Sequence, residues 1–95
     1  MAHTPRSALA INLAGIGTFV GAELPRGCRW WQWVNEVPLV LGPVECRLAP
    51  GGQGGIAVET IAAPGFSEVH PYPGDDIHVQ FSGASGQIVR LLVID

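Results

Sequence analysis

With 95 residues the chain has room for one domain, and its net charge of −3 comes from five arginines, eight acidic residues and no lysine. The arginines are scattered and form no basic patch, which argues against nucleic acid as a partner. Only 14% of the residues are charged, against about 25% in an average soluble domain. So few charges predict that part of the surface is covered by another subunit.

The first apolar stretch, residues 8–22, is too short and too interrupted to cross a membrane. A spanning helix requires roughly 20 apolar residues, whereas Asn12, Thr18 and three glycines break this one. We therefore expect it to fold as strand after an N-terminal arm of residues 1–7, and we expect no membrane partner.

Glycine and proline punctuate the whole chain, with 13 and 8 occurrences. The intervals are rich in β-branched and aromatic residues, which favour strands. Strands are predicted at 8–14, 16–24, 28–34, 38–48, 55–62, 76–82 and 87–94, with a short one near 66–69. This spacing predicts an all-β fold, an antiparallel β-sandwich or jelly-roll-like single domain spanning residues 1–95.

The two cysteines fall symmetrically about Val37. A hairpin with its loop at residues 36–38 would set Cys28 opposite Cys46, close enough for contact or a disulfide. The alternative is two buried thiols that act as small hydrophobic residues.

Three tryptophans lie between the cysteines. Strand alternation puts Trp31 and Trp33 on one face and Trp30 on the other. A domain of this size has little room for all three in its core, so at least one should lie at a surface. Such a tryptophan indicates either a subunit interface or a platform that stacks on sugar rings, and two core tryptophans with one incidental surface residue are the alternative.

The last predicted strand is apolar on both faces except at Arg90, whereas residues 77–81 alternate as in a half-buried strand. The two-faced pattern indicates a strand between two layers or at a subunit interface. Together with the tryptophans it gives the predicted interface residues, which are Trp31, Trp33, Leu91 and Val93.

Residues 70–78 combine two histidines, His70 and His78, with the carboxylates Asp75 and Asp76, the residue types that bind zinc, iron or manganese. The segment resembles the second motif of the cupins, in which a Pro-x-Gly turn precedes a metal-binding histidine. The spacing departs from that motif, and the first cupin motif has no counterpart in the chain. We therefore predict no bound metal, and a cupin-like metal-binding protein is an alternative.

No other segment assembles a catalytic set. Residues 50–55 are glycine-rich but lack the lysine and the following helix of a phosphate-binding loop, which predicts a hairpin tip. The serines lie outside any nucleophile-elbow context. We expect neither an enzyme nor a cofactor.

In length, turn-rich strands and low charge, the chain resembles the small all-β accessory proteins of tailed-phage particles, such as capsid decoration or cement proteins. The resemblance implies a non-enzymatic structural protein of the virion that associates with itself and stabilises a capsid or similar protein shell. Outside a virion, the expected location is the cytoplasm, as a soluble protein. The alternative from another class is a carbohydrate-binding β-sandwich that uses Trp31 and Trp33 to bind a glycan.

Overall fold

The computed structural model describes residues 5–26, 28–35, 43–61 and 65–94. Throughout these residues the chain is all-β and contains no helix, and so no helix that could span a membrane. The strands are β1 (Pro5–Asn12), β2 (Gly15–Glu23), β3 (Trp30–Asn35), β4 (Val44–Pro50), β5 (Ile56–Ile61), β6 (Gly65–Phe66), β7 (His70–Pro71), β8 (Ile77–Gly83) and β9 (Ile88–Ile94).

The strands form two antiparallel sheets that pack against each other. The first sheet has five strands in the order β1-β9-β3-β6, with β7 also paired to β3. The second has four, in the order β2-β8-β4-β5. The predicted antiparallel β-sandwich is thereby confirmed.

Most strand positions agree with the sequence prediction. β1 begins at Pro5, so residues 5–7 of the expected arm belong to the strand, while residues 1–4 lie outside the described part of the chain. Of the predicted strand 38–48, residues 38–42 also lie outside the described part. The short strand expected near 66–69 is instead a pair of two-residue strands, β6 and β7. Residues 51–55 connect β4 to β5, as predicted for a hairpin tip.

The predicted hairpin between the cysteines is wrong. β3 pairs with β9, β6 and β7, whereas β4 pairs with β5 and β8 in the other sheet. Trp31 and Trp33 of β3 and Val44 and Cys46 of β4 point inward, and placing the two strands in opposite layers lets these apolar side chains cover each other. No disulfide joins Cys28 to Cys46, and both thiols are buried.

The core lies between the sheets and is built around the tryptophan strand. Trp31 and Trp33 have no exposed surface, and the Trp33 ring packs at 5.1 Å from that of Phe81. The buried apolar cluster comprises Ile11, Leu13, Leu24, Cys28, Trp31, Trp33, Val44, Cys46, Val79, Phe81, Val89, Leu91 and Val93.

This cluster corrects the predicted interface. Trp31, Trp33, Leu91 and Val93 are all buried by the chain's own strands, so a partner cannot contact them. The same burial removes the sugar-stacking platform from Trp31 and Trp33. These side chains are buried because the space between the two sheets of a sandwich must be filled by large side chains.

Candidate functional site

The face of the first sheet that points away from the core carries mostly apolar side chains. In β3 the half-buried residues Trp30, Gln32 and Val34 alternate with buried ones, so these three point outward. Residues directly opposite each other in a ladder share a face, which extends this surface across the sheet. The outer face, as we call it, includes Trp30, Gln32, Val34, Phe66, Ile88, Arg90 and Leu92, with Ala10 and Asn12 towards its edge.

Several large apolar side chains on the outer face remain accessible. Phe66, opposite Val34 in the register, is 68% exposed, and Trp30 and Leu92 are half-buried. Arg90 is the one charged residue among those just named. Accessible apolar side chains grouped on one face make that face the candidate functional site.

The second sheet presents an outward face of the opposite character. There Arg47 Nε donates to Gln80 Oε1 at 2.9 Å, and Gln80 Nε2 donates to the Gly52 carbonyl at 3.1 Å. The Arg47 guanidinium also lies 3.8 Å from the centre of the Phe19 ring, which it partly covers. Glu45 and Thr60 are exposed on the same side. This face therefore carries charged and hydrogen-bonded polar side chains beside the Phe19 ring, whereas the polar side chains named on the outer face of the first sheet are Asn12, Gln32 and Arg90.

The sequence prediction selected the wrong side of β3. It correctly required at least one tryptophan at a surface, and that residue is Trp30. The sequence signal for the outer face lies at the even-numbered positions. There, Trp30, Gln32 and Val34 in β3 share one face of the sheet with Ile88 and Leu92 in β9. The two-faced apolar pattern of β9 arises from one face in the core and the other on the outer face.

A second candidate site is a polar cluster between the edge strands β5 and β7. Glu59 points inward from β5, and its Oε1 accepts a hydrogen bond from Trp33 Nε1 at 3.0 Å. The same oxygen lies 2.5 Å from His70 Nε2. The His70 ring stacks on Trp31 with centroids 4.4 Å apart, and Trp31 Nε1 donates to the Pro71 carbonyl at 3.0 Å.

The chemistry of this cluster is structural. Cys46 is opposite Glu59 in the β4–β5 ladder and would be the nearest nucleophile by type. Burial raises the pKa of the Cys46 thiol well above its ordinary value, and the negative charge of Glu59 adds to that effect. A protonated, buried thiol is a poor nucleophile. The cluster instead provides acceptors for two buried indole N–H groups and ties the two sheets together.

The histidines of the cupin-like segment do not converge. His70 is in the first sheet against Glu59, whereas His78 is in β8 of the second sheet, opposite Ala49 and Glu23. Within the described residues, no group of three or more histidine, cysteine, aspartate or glutamate side chains is placed to hold a metal ion.

Comparison with protein-family models, with curated proteins and with solved structures finds no match to this chain. Its geometry is therefore the basis for a functional interpretation. The fold and the site define a small antiparallel β-sandwich with one polar and one apolar outward face.

Proposed function

We propose that this chain is a non-enzymatic structural protein that associates with copies of itself through the outer face of its first sheet. The observation that carries this proposal is the difference between the two outward faces, because the second sheet carries the hydrogen-bonded pair of Arg47 and Gln80, whereas apolar side chains outnumber Asn12, Gln32 and Arg90 among the residues named on the outer face. The assembly we propose is a protein shell, such as a tailed-phage capsid, which the protein stabilises as an accessory subunit.

Self-association through the outer face is favoured because it removes apolar surface from water. Each square ångström of apolar area buried contributes about 25 cal/mol before the costs of association are subtracted. Trp30 and Phe66 offer large rings to such a contact, and aromatic side chains near the centre of an interface contribute most to binding. A domain of this size buries only about two thirds of its unfolded surface by itself, so a partner adds appreciably to its stability.

A glycan-binding role has less support from the same face. A sugar platform pairs aromatic rings with several polar groups that fix the orientation of the hydroxyls. Here Gln32, Asn12 and Arg90 are the polar side chains available, and aliphatic residues separate them. This arrangement favours a protein surface as the partner.

The test compares lysine substitutions of two apolar residues that are similarly exposed, Phe66 at 68% and Ile56 at 74%. Phe66→Lys places a charge on the outer face, whereas Ile56→Lys places one on β5 of the second sheet, where the native side chain is 74% exposed. We expect the wild type and Ile56→Lys to form oligomers of the same mass by light scattering. Phe66→Lys should dissociate at a concentration at least tenfold higher than the wild type does.

Circular dichroism spectra of both variants serve as the control for folding. A wild-type protein that stays at its monomer mass at millimolar concentration contradicts the proposal. Equal dissociation of both variants contradicts the assignment to the outer face.

A further inference from the structure

We propose that β1 is a pairing edge at which a second copy of this chain adds its own β1 in antiparallel orientation. The two first sheets then become one continuous sheet. This inference rests on the proposed self-association and adds to the face contact a second, backbone-mediated contact.

Edge strands expose unpaired N–H and C=O groups, and natural proteins protect them against unwanted pairing. Three of the four edges in this sandwich carry such protection within the described residues, and the fourth, β1, carries it only before Ser7, where Pro5, Arg6 and a register irregularity lie. β6 and β7 have only two residues each. The register of β2 shifts between Gly15 and Val20, and β5 has both a register shift and the inward-pointing charge of Glu59.

β1 carries none of these devices over residues 7–12. Its register with β9 is continuous from Ser7 to Asn12, and the irregularity at its start lies before Ser7. The segment contains no charged residue and no proline. Leu9 lies opposite the buried Leu91, yet its own side chain is 47% exposed at the edge. An uncharged, regular edge with an exposed leucine is the pattern of a strand that pairs.

The second strand that fits this edge is β1 itself. Antiparallel pairing about a two-fold axis perpendicular to the sheet brings residues of the same face together, so Leu9 meets Leu9 or Ile11 of the other copy. Because residues 7–12 are uncharged, this contact opposes no like charges. Pairing also sets the two outer faces side by side and doubles the width of the apolar surface. One chain then has two different self-contacts, an edge and a face, as an extended assembly requires.

The experiment adds one lysine at each of two neighbouring edges. Leu9→Lys creates at β1 the inward-pointing charge that natural edges use, whereas Ile16→Lys puts the same charge on the irregular edge strand β2, where the native side chain is 79% exposed. We expect Leu9→Lys to lower the oligomer mass by half or more at a concentration where the wild type and Ile16→Lys are unchanged. Circular dichroism verifies that both variants fold.

Amide hydrogen exchange on the wild type gives a second readout that needs no variant. In an antiparallel ladder, alternate residues of β1 direct their N–H groups towards β9 and towards the open edge. The edge-facing set should exchange at least tenfold more slowly in a concentrated than in a dilute sample. Unchanged exchange of that set overturns the proposal, as does wild-type mass for Leu9→Lys.

The variants distinguish failure of the β1 pairing proposal from failure of the outer-face proposal. If Phe66→Lys dissociates the oligomer and Leu9→Lys does not, the pairing edge is wrong and the proposed function stands. If Leu9→Lys and Ile16→Lys dissociate it equally, pairing through β1 is overturned. A wild type that remains monomeric overturns both.

Discussion

At the level of single residues, the polar cluster supplies the hydrogen-bond acceptors that the buried indole N–H groups of the core require. Two fully buried indoles bring two N–H donors out of water, and a buried donor without an acceptor costs about 1–3 kcal/mol. The Pro71 carbonyl accepts from Trp31, and Glu59 Oε1 accepts from Trp33. The inward-pointing carboxylate of β5 therefore completes the core while it protects the edge.

Removal of this acceptor should destabilise the fold in a graded way. Glu59→Ala leaves Trp33 Nε1 without its acceptor and removes the carboxylate beside His70 Nε2, so the free energy of unfolding should fall by about 1–3 kcal/mol. Glu59→Gln retains an oxygen that can accept from the indole, and its loss should stay below about 1 kcal/mol. Urea unfolding followed by tryptophan fluorescence measures both. Equal stability of the alanine variant and the wild type would mean that water satisfies the indole instead.

At the element scale, the pairing of β2 with β8 depends on a close backbone approach at one glycine. A Cβ on Gly21 would lie 1.8 Å from the Val79 carbonyl oxygen, a distance that only backbone movement can relieve. On the paired strand, a Cβ on Gly83 would lie 2.7 Å from Leu13 Cδ1, the end of a side chain that can rotate. The two glycines thus occupy crowded sites of different rigidity.

Gly21→Ala should therefore cost more stability than Gly83→Ala. Overpacking typically costs about 1–3 kcal/mol, and we expect a loss of stability of at least about 3 kcal/mol for Gly21→Ala and of about 1 kcal/mol for Gly83→Ala. Thermal unfolding of both variants gives the comparison, with the melting temperature as the readout. A smaller loss for Gly21→Ala than for Gly83→Ala would contradict the close approach of β2 to β8.

The positions of the strands could be predicted from the sequence, whereas their partners could not. Strand positions follow from local signals, because alternation and turn residues act over a few neighbours, as in residues 77–81 and 51–55. The partners of a strand depend on which faces need covering across the whole domain. That is why symmetry about Val37 predicted a hairpin, whereas β3 and β4 lie in opposite sheets.

The candidate site residues were predicted on the wrong face of β3. Alternation correctly separated Trp30 from Trp31 and Trp33. The strands that pair with β3 determine which of its two faces points into the core. Trp33 lies opposite the buried Leu91, whereas Trp30 and Val34 lie on the side of Phe66. This long-range register has no counterpart in the local sequence.

Over the whole molecule, the few charged side chains are not distributed evenly between the two sheets. Glu45, Arg47 and Gln80 lie on the outward face of the second sheet, while the first sheet has mainly aliphatic and aromatic groups on its own. The two outward faces therefore differ in the side chains that they present to solvent.

Trp30 should report contact at the outer face directly. It is half-buried, whereas Trp31 and Trp33 have no exposed surface, so acrylamide reaches Trp30 in preference to the other two. As protein concentration rises and the outer face is covered, the quenching constant of the wild type should fall. In Trp30→Phe it should be low and independent of concentration, and in Phe66→Lys it should stay high over the range in which the wild type associates. A wild-type oligomer whose quenching does not change with concentration would place its contact elsewhere than the outer face, because burial of that face shields the one tryptophan that acrylamide reaches readily.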